Sequence, residues 1–170
     1  MIGERARFAA IAKNEPAPAV VAFNLFQTPD AIAREMVDQL GPLDGLDVLE
    51  PSAGLGRLYR AIRRRSASCG VTLVEVAPQC CQVLYNEIAN DPQTRLIQGD
   101  FLTREAVGLF DRVVMNPPFK MGRDVKHIKH AASLLKPGGR LVALCYDGTR
   151  QNKELKPLAT SWEVLPAGSF

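Results

Sequence analysis

Cysteine and histidine are scarce. The four cysteines, Cys69, Cys80, Cys81 and Cys145, form no Cys-x-x-Cys pair and no metal-ligand spacing with the two histidines. Neither a zinc site nor a disulfide framework is therefore expected, and no metal is assigned. No apolar run approaches the roughly twenty residues that a helix needs to cross a bilayer, so no membrane partner is expected. The N-terminus carries Glu4, Arg5 and Arg7 where a secretory signal would carry an apolar core. Together with reduced thiols, this sets the expectation of a cytoplasmic protein. Repeats and low-complexity segments are absent. A net charge of +3, with 46% hydrophobic and 23% charged residues, places the chain among ordinary globular domains. It permits a nucleic-acid partner without demanding one.

What is present is an alternation. Short β-rich runs at Asp47–Glu50, Val71–Val76, Arg95–Gln98, Asp111–Met115, Leu141–Tyr146 and Trp162–Leu165 are separated by amphipathic helical patterns. Those patterns run over Asp30–Leu40, the stretch after Gly56, Pro78–Ile88, Val125–Leu135 and Gln151–Leu158. Strands alternating with helices imply a parallel sheet covered on both faces. The expected fold is α/β, a doubly wound Rossmann-like sheet of six mainly parallel strands. It forms one domain over 1–170 with an N-terminal helical extension to about residue 28. Thr28 is the expected N-cap and Pro29 the first helical residue of the helix that follows.

In such a sheet ligands bind beyond the C-terminal ends of the strands, where strand order reverses. The distinctive residues all fall there. After the fourth strand comes Asn116-Pro117-Pro118-Phe119. The prolines have a fixed φ and no N–H, so neither strand nor helix continues, and the corner is stiff. A conjugated primary amine is a poor nucleophile. Two acceptors, the Asn116 side-chain oxygen and the Pro117 carbonyl, could draw its N–H groups toward tetrahedral geometry. One such preset hydrogen-bonding group can be worth roughly 3–4 kcal/mol. Phe119 could stack on a planar substrate.

After the first strand comes Ala53-Gly54-Leu55-Gly56, a loop that brings backbone close to a ligand and opens a helix. Glu75, 19 positions beyond Gly56, has the spacing of an acid that accepts from a ribose diol. Asp100 could accept from an exocyclic adenine amine, with Phe101 against the ring.

This order of motifs resembles class I S-adenosylmethionine-dependent methyltransferases, and more narrowly the gamma arrangement typified by adenine-N6 DNA methyltransferases. The resemblance covers nearly the whole chain. It implies contact of Thr28 with the methionine end of S-adenosylmethionine, a cofactor cradle of Glu50, Ser52, Ala53, Gly54 and Gly56, and ribose contact at Glu75. It also implies adenine contacts at Asp100 and Phe101, and catalysis by Asn116, Pro117, Pro118 and Phe119, with Asn116 also beside the cofactor. The implied reaction is methylation of an exocyclic amino nitrogen, most simply N6 of adenine in DNA. Adenine or guanine in RNA, a protein glutamine amide, or a cofactor-binding subunit without catalysis are the alternatives. Family members usually add a seventh, antiparallel strand, which this sequence does not show. Lys120, Arg123, Lys126 and Lys129, with Arg57, Arg60 and Arg63 to Arg65, could track phosphates or form solvated helix faces. His127 and His130 are expected on a polar helix surface.

Overall fold

A computed structural model describes residues 27–103, 108–166 and 169. The helix expected over Met1–Lys13 lies outside them. The sheet has five strands, β1 (Asp47–Glu50), β2 (Gly70–Glu75), β3 (Thr94–Gln98), β4 (Phe110–Met115) and β5 (Leu135–Ala143). They lie in the order β3-β2-β1-β4-β5, and every pairing is parallel. The helices are α1 (Asp30–Gln39), α2 (Arg57–Arg65), α3 (Pro78–Ile88), α4 (Arg123–Ser133) and α5 (Thr149–Glu154).

Period-two alternation along the strands feeds two cores. Val48, Leu73 and Val114 face one side and pack with Ile32, Val37, Leu58, Ile62 and Leu84 of α1, α2 and α3. Leu49, Val74, Val113 and Met115 face the other and pack with Phe101 and Ala131, the latter from α4. Each such fully buried side chain contributes about 1.5–3 kcal/mol. The central strands β1 and β4 are thereby pinned on both faces, and the segments leaving their C-terminal ends start from fixed points.

The sixth strand is corrected. Residues Trp162–Leu165 carry no ladder, and the sheet of the described residues ends at β5. The sequence pattern there is β-like, but Val164 is exposed and Trp162 turns its ring to the Lys156 ammonium, 5.9 Å from the ring centre. β5 also starts earlier than its apolar run. Leu135 pairs with Phe110 before a register break at Asp111, and Arg140 then pairs with Arg112. The Lys136-Pro137-Gly138-Gly139 stretch is that irregularity.

Candidate cofactor and amine site

Strand order reverses between β1 and β4, and the loops after these two strands form the centre of the site. β1 ends in Glu50, and Pro51 to Gly56 turn back into α2. Gly54 and Gly56 both have positive φ, +53° and +78°. At Gly56 a side chain would also meet Leu84 at 3.0 Å and Glu87 at 3.2 Å, so the helix start favours glycine. The loop is stitched to β2: the Ala53 N–H donates to the Val74 carbonyl at 3.1 Å. The Gly54 N–H donates to one Glu75 carboxylate oxygen at 2.7 Å, and the Ala77 N–H to the other at 2.7 Å. A carboxylate has about four lone-pair sites, so Glu75 retains acceptor capacity while fixing the loop.

Glu50 is the most unusual group. It is 1% exposed, and its Oε2 has no hydrogen-bond partner. Burial, and then the neighbouring Glu75 charge, push its carboxyl well above the ordinary carboxylate range. It lines a small, solvent-open cavity whose other walls include Gln27, Thr28, Ser52, Gly54 and Asn116. An orphaned buried carboxyl oxygen facing a cavity fits a cationic ligand, which would let it ionise. Gln27 and Leu58 were not distinguishable by sequence; nothing in a glutamine beside a proline turn or a helical leucine marks them as wall residues.

Asn116 follows β4 on the other side of this cavity. Its Nδ2 donates to the Thr28 hydroxyl oxygen at 3.0 Å. Thr28 is therefore not the N-cap of α1. The cap position is taken by Pro29, whose carbonyl accepts from Ala33, and no side chain caps the helix. The threonine hydroxyl is spent on Asn116 instead. Pro117 is buried, while Pro118 and Phe119 are half-buried. The turn that follows carries Met121 with φ +57° and its side chain 92% exposed.

The adenine-side pair sits differently from expectation. The Asp100 carboxylate is engaged on both oxygens, by the Leu102 N–H at 3.0 Å and by the Arg123 guanidinium at 2.8 Å. Burial raises its pKa, but those hydrogen bonds more than offset this and hold it low. Phe101 is 2% exposed. Its ring packs between His127, at 5.7 Å, and His130, at 4.7 Å, so it belongs to the core below the rim. That overturns the surface placement of His127. At 4% exposure it lies on the inward face of α4, because residues 127, 130 and 131 share one side of the helix. Neither of its ring nitrogens has a partner. Burial, then the Arg123 charge, lower its pKa to about 4. Among the described residues no three histidines, cysteines or acids gather as a metal site, and no helix is long and apolar enough to cross a membrane.

A parallel sheet of this order, with an acid-braced glycine loop and an asparagine-proline corner facing each other across the switch point, defines a domain of the class I methyltransferase type. The chain belongs to the methyltransferase small domain family, whose model matches residues 26–167. It is 28% identical over 151 residues, 82% of its length, to a ribosomal RNA large subunit methyltransferase G of Aeromonas hydrophila, of which the match covers 40%. It is 26% identical over 95 residues, 56% of its length, to the type II methyltransferase M.CvrRI of Paramecium bursaria Chlorella virus XZ-6E, of which the match covers 24%. The chain thus spans less than half of either relative. Among solved structures, the fold is similar to a putative RNA methyltransferase from Pyrococcus horikoshii, with a TM-score of 0.67 and 20% identity, covering 91% of this chain and 80% of that one. It is also similar to TrmN from Thermus thermophilus, with a TM-score of 0.66 and 19% identity, covering 79% of this chain and 43% of that one.

Proposed function

We propose that this domain transfers a methyl group to the exocyclic amino nitrogen of a nucleobase, with N6 of adenine in DNA as the first candidate substrate. The observation that carries this reading is the position of Asn116. It stands at the switch point, its amide anchored to Thr28, across one cavity from Glu50 and the glycine loop. S-adenosylmethionine is the cofactor, and when bound it supplies an electrophilic methyl group.

The chain's own residues then divide the work. Glu75, joined by Glu50 once a cation lets that buried carboxyl ionise, gives the cofactor side a wall suited to a positively charged ligand. Glu75 uses its remaining lone pairs on a ribose diol while the Gly54 and Ala77 N–H groups hold it in place. Asp100 can take an exocyclic adenine amine only by sharing or exchanging its contact with Arg123. On the other side of the corner, the Asn116 Oδ1 and the Pro117 carbonyl accept the two N–H groups of the target amine. This localises the nitrogen lone pair for attack. Phe119 offers a face for the base, a contact worth roughly 1–3 kcal/mol. If the base lies in a duplex it must first be extruded, at a cost of a few kcal/mol.

A ribosomal RNA amine is the second reading, supported by the longer stretch shared with the ribosomal RNA methyltransferase. Incubation with methyl-labelled S-adenosylmethionine and unmethylated DNA or RNA, followed by identification of the modified base, tests both. Label on N6 of adenine in DNA is the expected result. Label on an RNA base selects the second reading. Tight cofactor binding without transfer to either polymer would leave a binding subunit.

A further inference from the structure

The domain's charge is unevenly placed. From Lys120 to Lys156 nine lysines and arginines stand against three acids, whereas the rest of the chain carries twelve against fifteen. The structure separates the two basic groups that flank the motifs. Four of the five arginines of α2 are paired locally: Arg57 with Asp30, Arg60 with Glu87, Arg63 with Asp91 and Arg65 with Asp38. Their role is to tie α2 to its neighbours.

The basic residues of α4, of α5 and of the turn before α4 are arranged otherwise. Lys120, Lys126, Arg150 and Lys153 are exposed, and none makes an ion pair among the described residues. Arg123, Lys126 and Lys129 recur every third residue and so share one side of α4. α5 lies beside it, since Lys129 reaches Glu154 at 2.8 Å. Glu154 answers only part of this charge: Lys129, Arg150 and Lys153 all act on it and hold its pKa low. The patch is also attached to the catalytic corner. The Arg150 guanidinium covers Gly122 so closely that a side chain there would collide with it. The buried Asp124 accepts from the Tyr146 N–H and the Gln151 amide, locking the start of α4 to the loop and helix after β5. The rim is therefore polarised about Asn116, with carboxylates toward β1 and β2 and uncompensated cations beyond β4 and β5.

We infer that the α4–α5 face, through Lys120, Lys126, Arg150 and Lys153, docks the phosphodiester backbone of the nucleic acid whose base enters at Asn116. This rests on the proposed function. It commits to a polyanion with repeating phosphates, a ligand suited to four cations without ion pairs on α4, α5 and the turn that leads into α4, and one that a neutral small-molecule amine would not need. Each phosphate contact of this kind releases counterions and steepens the salt dependence of binding.

The test is the anisotropy of fluorescein-labelled duplex DNA and of single-stranded RNA, titrated with the full chain between 50 and roughly 200 mM KCl, the range over which such contacts separate. The variant K126Q/K153Q removes two face cations. The variant R34Q/R64Q removes two exposed arginines of α1 and α2 that also make no ion pair. The face variant is expected to bind at least about tenfold more weakly at low salt, with a log–log salt slope shallower by about two, while the control stays within about twofold of wild type. Whichever polymer binds tighter at 200 mM identifies the source of the phosphates. Equal losses in both variants, an unchanged face variant, or a wild-type protein that binds neither polymer would overturn the inference. Calorimetry with S-adenosylmethionine on the same preparations keeps the two readings apart. Intact cofactor binding without polyanion binding removes the docking face and leaves the methyltransferase domain standing.

Discussion

Thr28 and Asn116, 88 positions apart in the chain, are joined by one hydrogen bond of 3.0 Å from the asparagine amide nitrogen to the threonine hydroxyl. The consequence is directional. With Nδ2 donating to the hydroxyl, Oδ1 is the end of the amide left to accept from the substrate amine in the proposed reaction. In the proposed reaction Thr28 is a positioning residue that acts through Asn116. Thr28→Val keeps the shape and removes the acceptor. Losing one hydrogen bond of about 0.5–1.5 kcal/mol should lower kcat about two- to twelvefold, with KM for the cofactor changed far less. Thr28→Ser should restore the rate. Equal losses in both variants, seen in steady-state kinetics, would assign Thr28 a purely structural role.

Glu50 carries a conflict between stability and binding. Its folded-state pKa is raised, chiefly by burial and then by Glu75. The unfolded chain ionises at lower pH than the folded one, so the ligand-free protein loses stability as pH rises from the unfolded value toward the folded value. Glu50→Gln removes that loss. Thermal unfolding at pH 7 should shift upward by about 2–4 °C for each kcal/mol recovered. Calorimetry should show the same variant binding S-adenosylmethionine at least tenfold more weakly. The wild-type protein should release protons on binding, because a cation beside Glu50 favours the carboxylate. A variant that binds as tightly as wild type would remove Glu50 from the cofactor wall.

His127 gives the acid limb of the stability curve. Its pKa is lowered to about 4 by burial first and Arg123 second, with Asp100 pulling the other way and His130 adding to the depression. The unfolded histidine takes a proton near pH 6.5, and the folded one does not. This stability is present in full above about 6.5 and is lost as pH falls toward about 4. His127→Leu should flatten denaturant-derived stability over that window. It should also stabilise the protein at neutral pH, because two buried nitrogens without partners cost about 1–3 kcal/mol each. An unchanged slope would place the acid sensitivity elsewhere.

The legibility of this fold in its sequence follows physical lines. β1, β2 and β4 each carry a short apolar centre, Val48-Leu49, Val71 to Val74 and Val113 to Met115, because both their faces are covered, and the polar residues at or just after their ends, Glu50, Glu75 and Asn116, mark the rim directly. Gly56 is readable because a positive φ and the close approach of Leu84 disfavour a side chain there. Trp162–Leu165 has a strand's composition, but composition does not supply a ladder partner. Phe101 and His127 sit deeper than their polar neighbours suggest, because they pack on each other across α4, a contact that no local pattern records. Thr28 and Pro29 read as a helix start, and only the tertiary structure shows the hydroxyl turned to Asn116. Likewise the two basic groups look alike in sequence. They differ through partners at distant positions, such as Glu87 and Asp91.

The most direct test of the account is single-turnover methyl transfer by Asn116→Ala, with cofactor affinity measured calorimetrically on the same preparation. Removing one preset acceptor at the reacting amine should cost about a hundred- to a thousandfold in rate, while S-adenosylmethionine binds within a fewfold of wild type. A variant that transfers methyl groups at the wild-type rate would contradict the central claim that the Asn116–Pro117 corner is where the amine reacts.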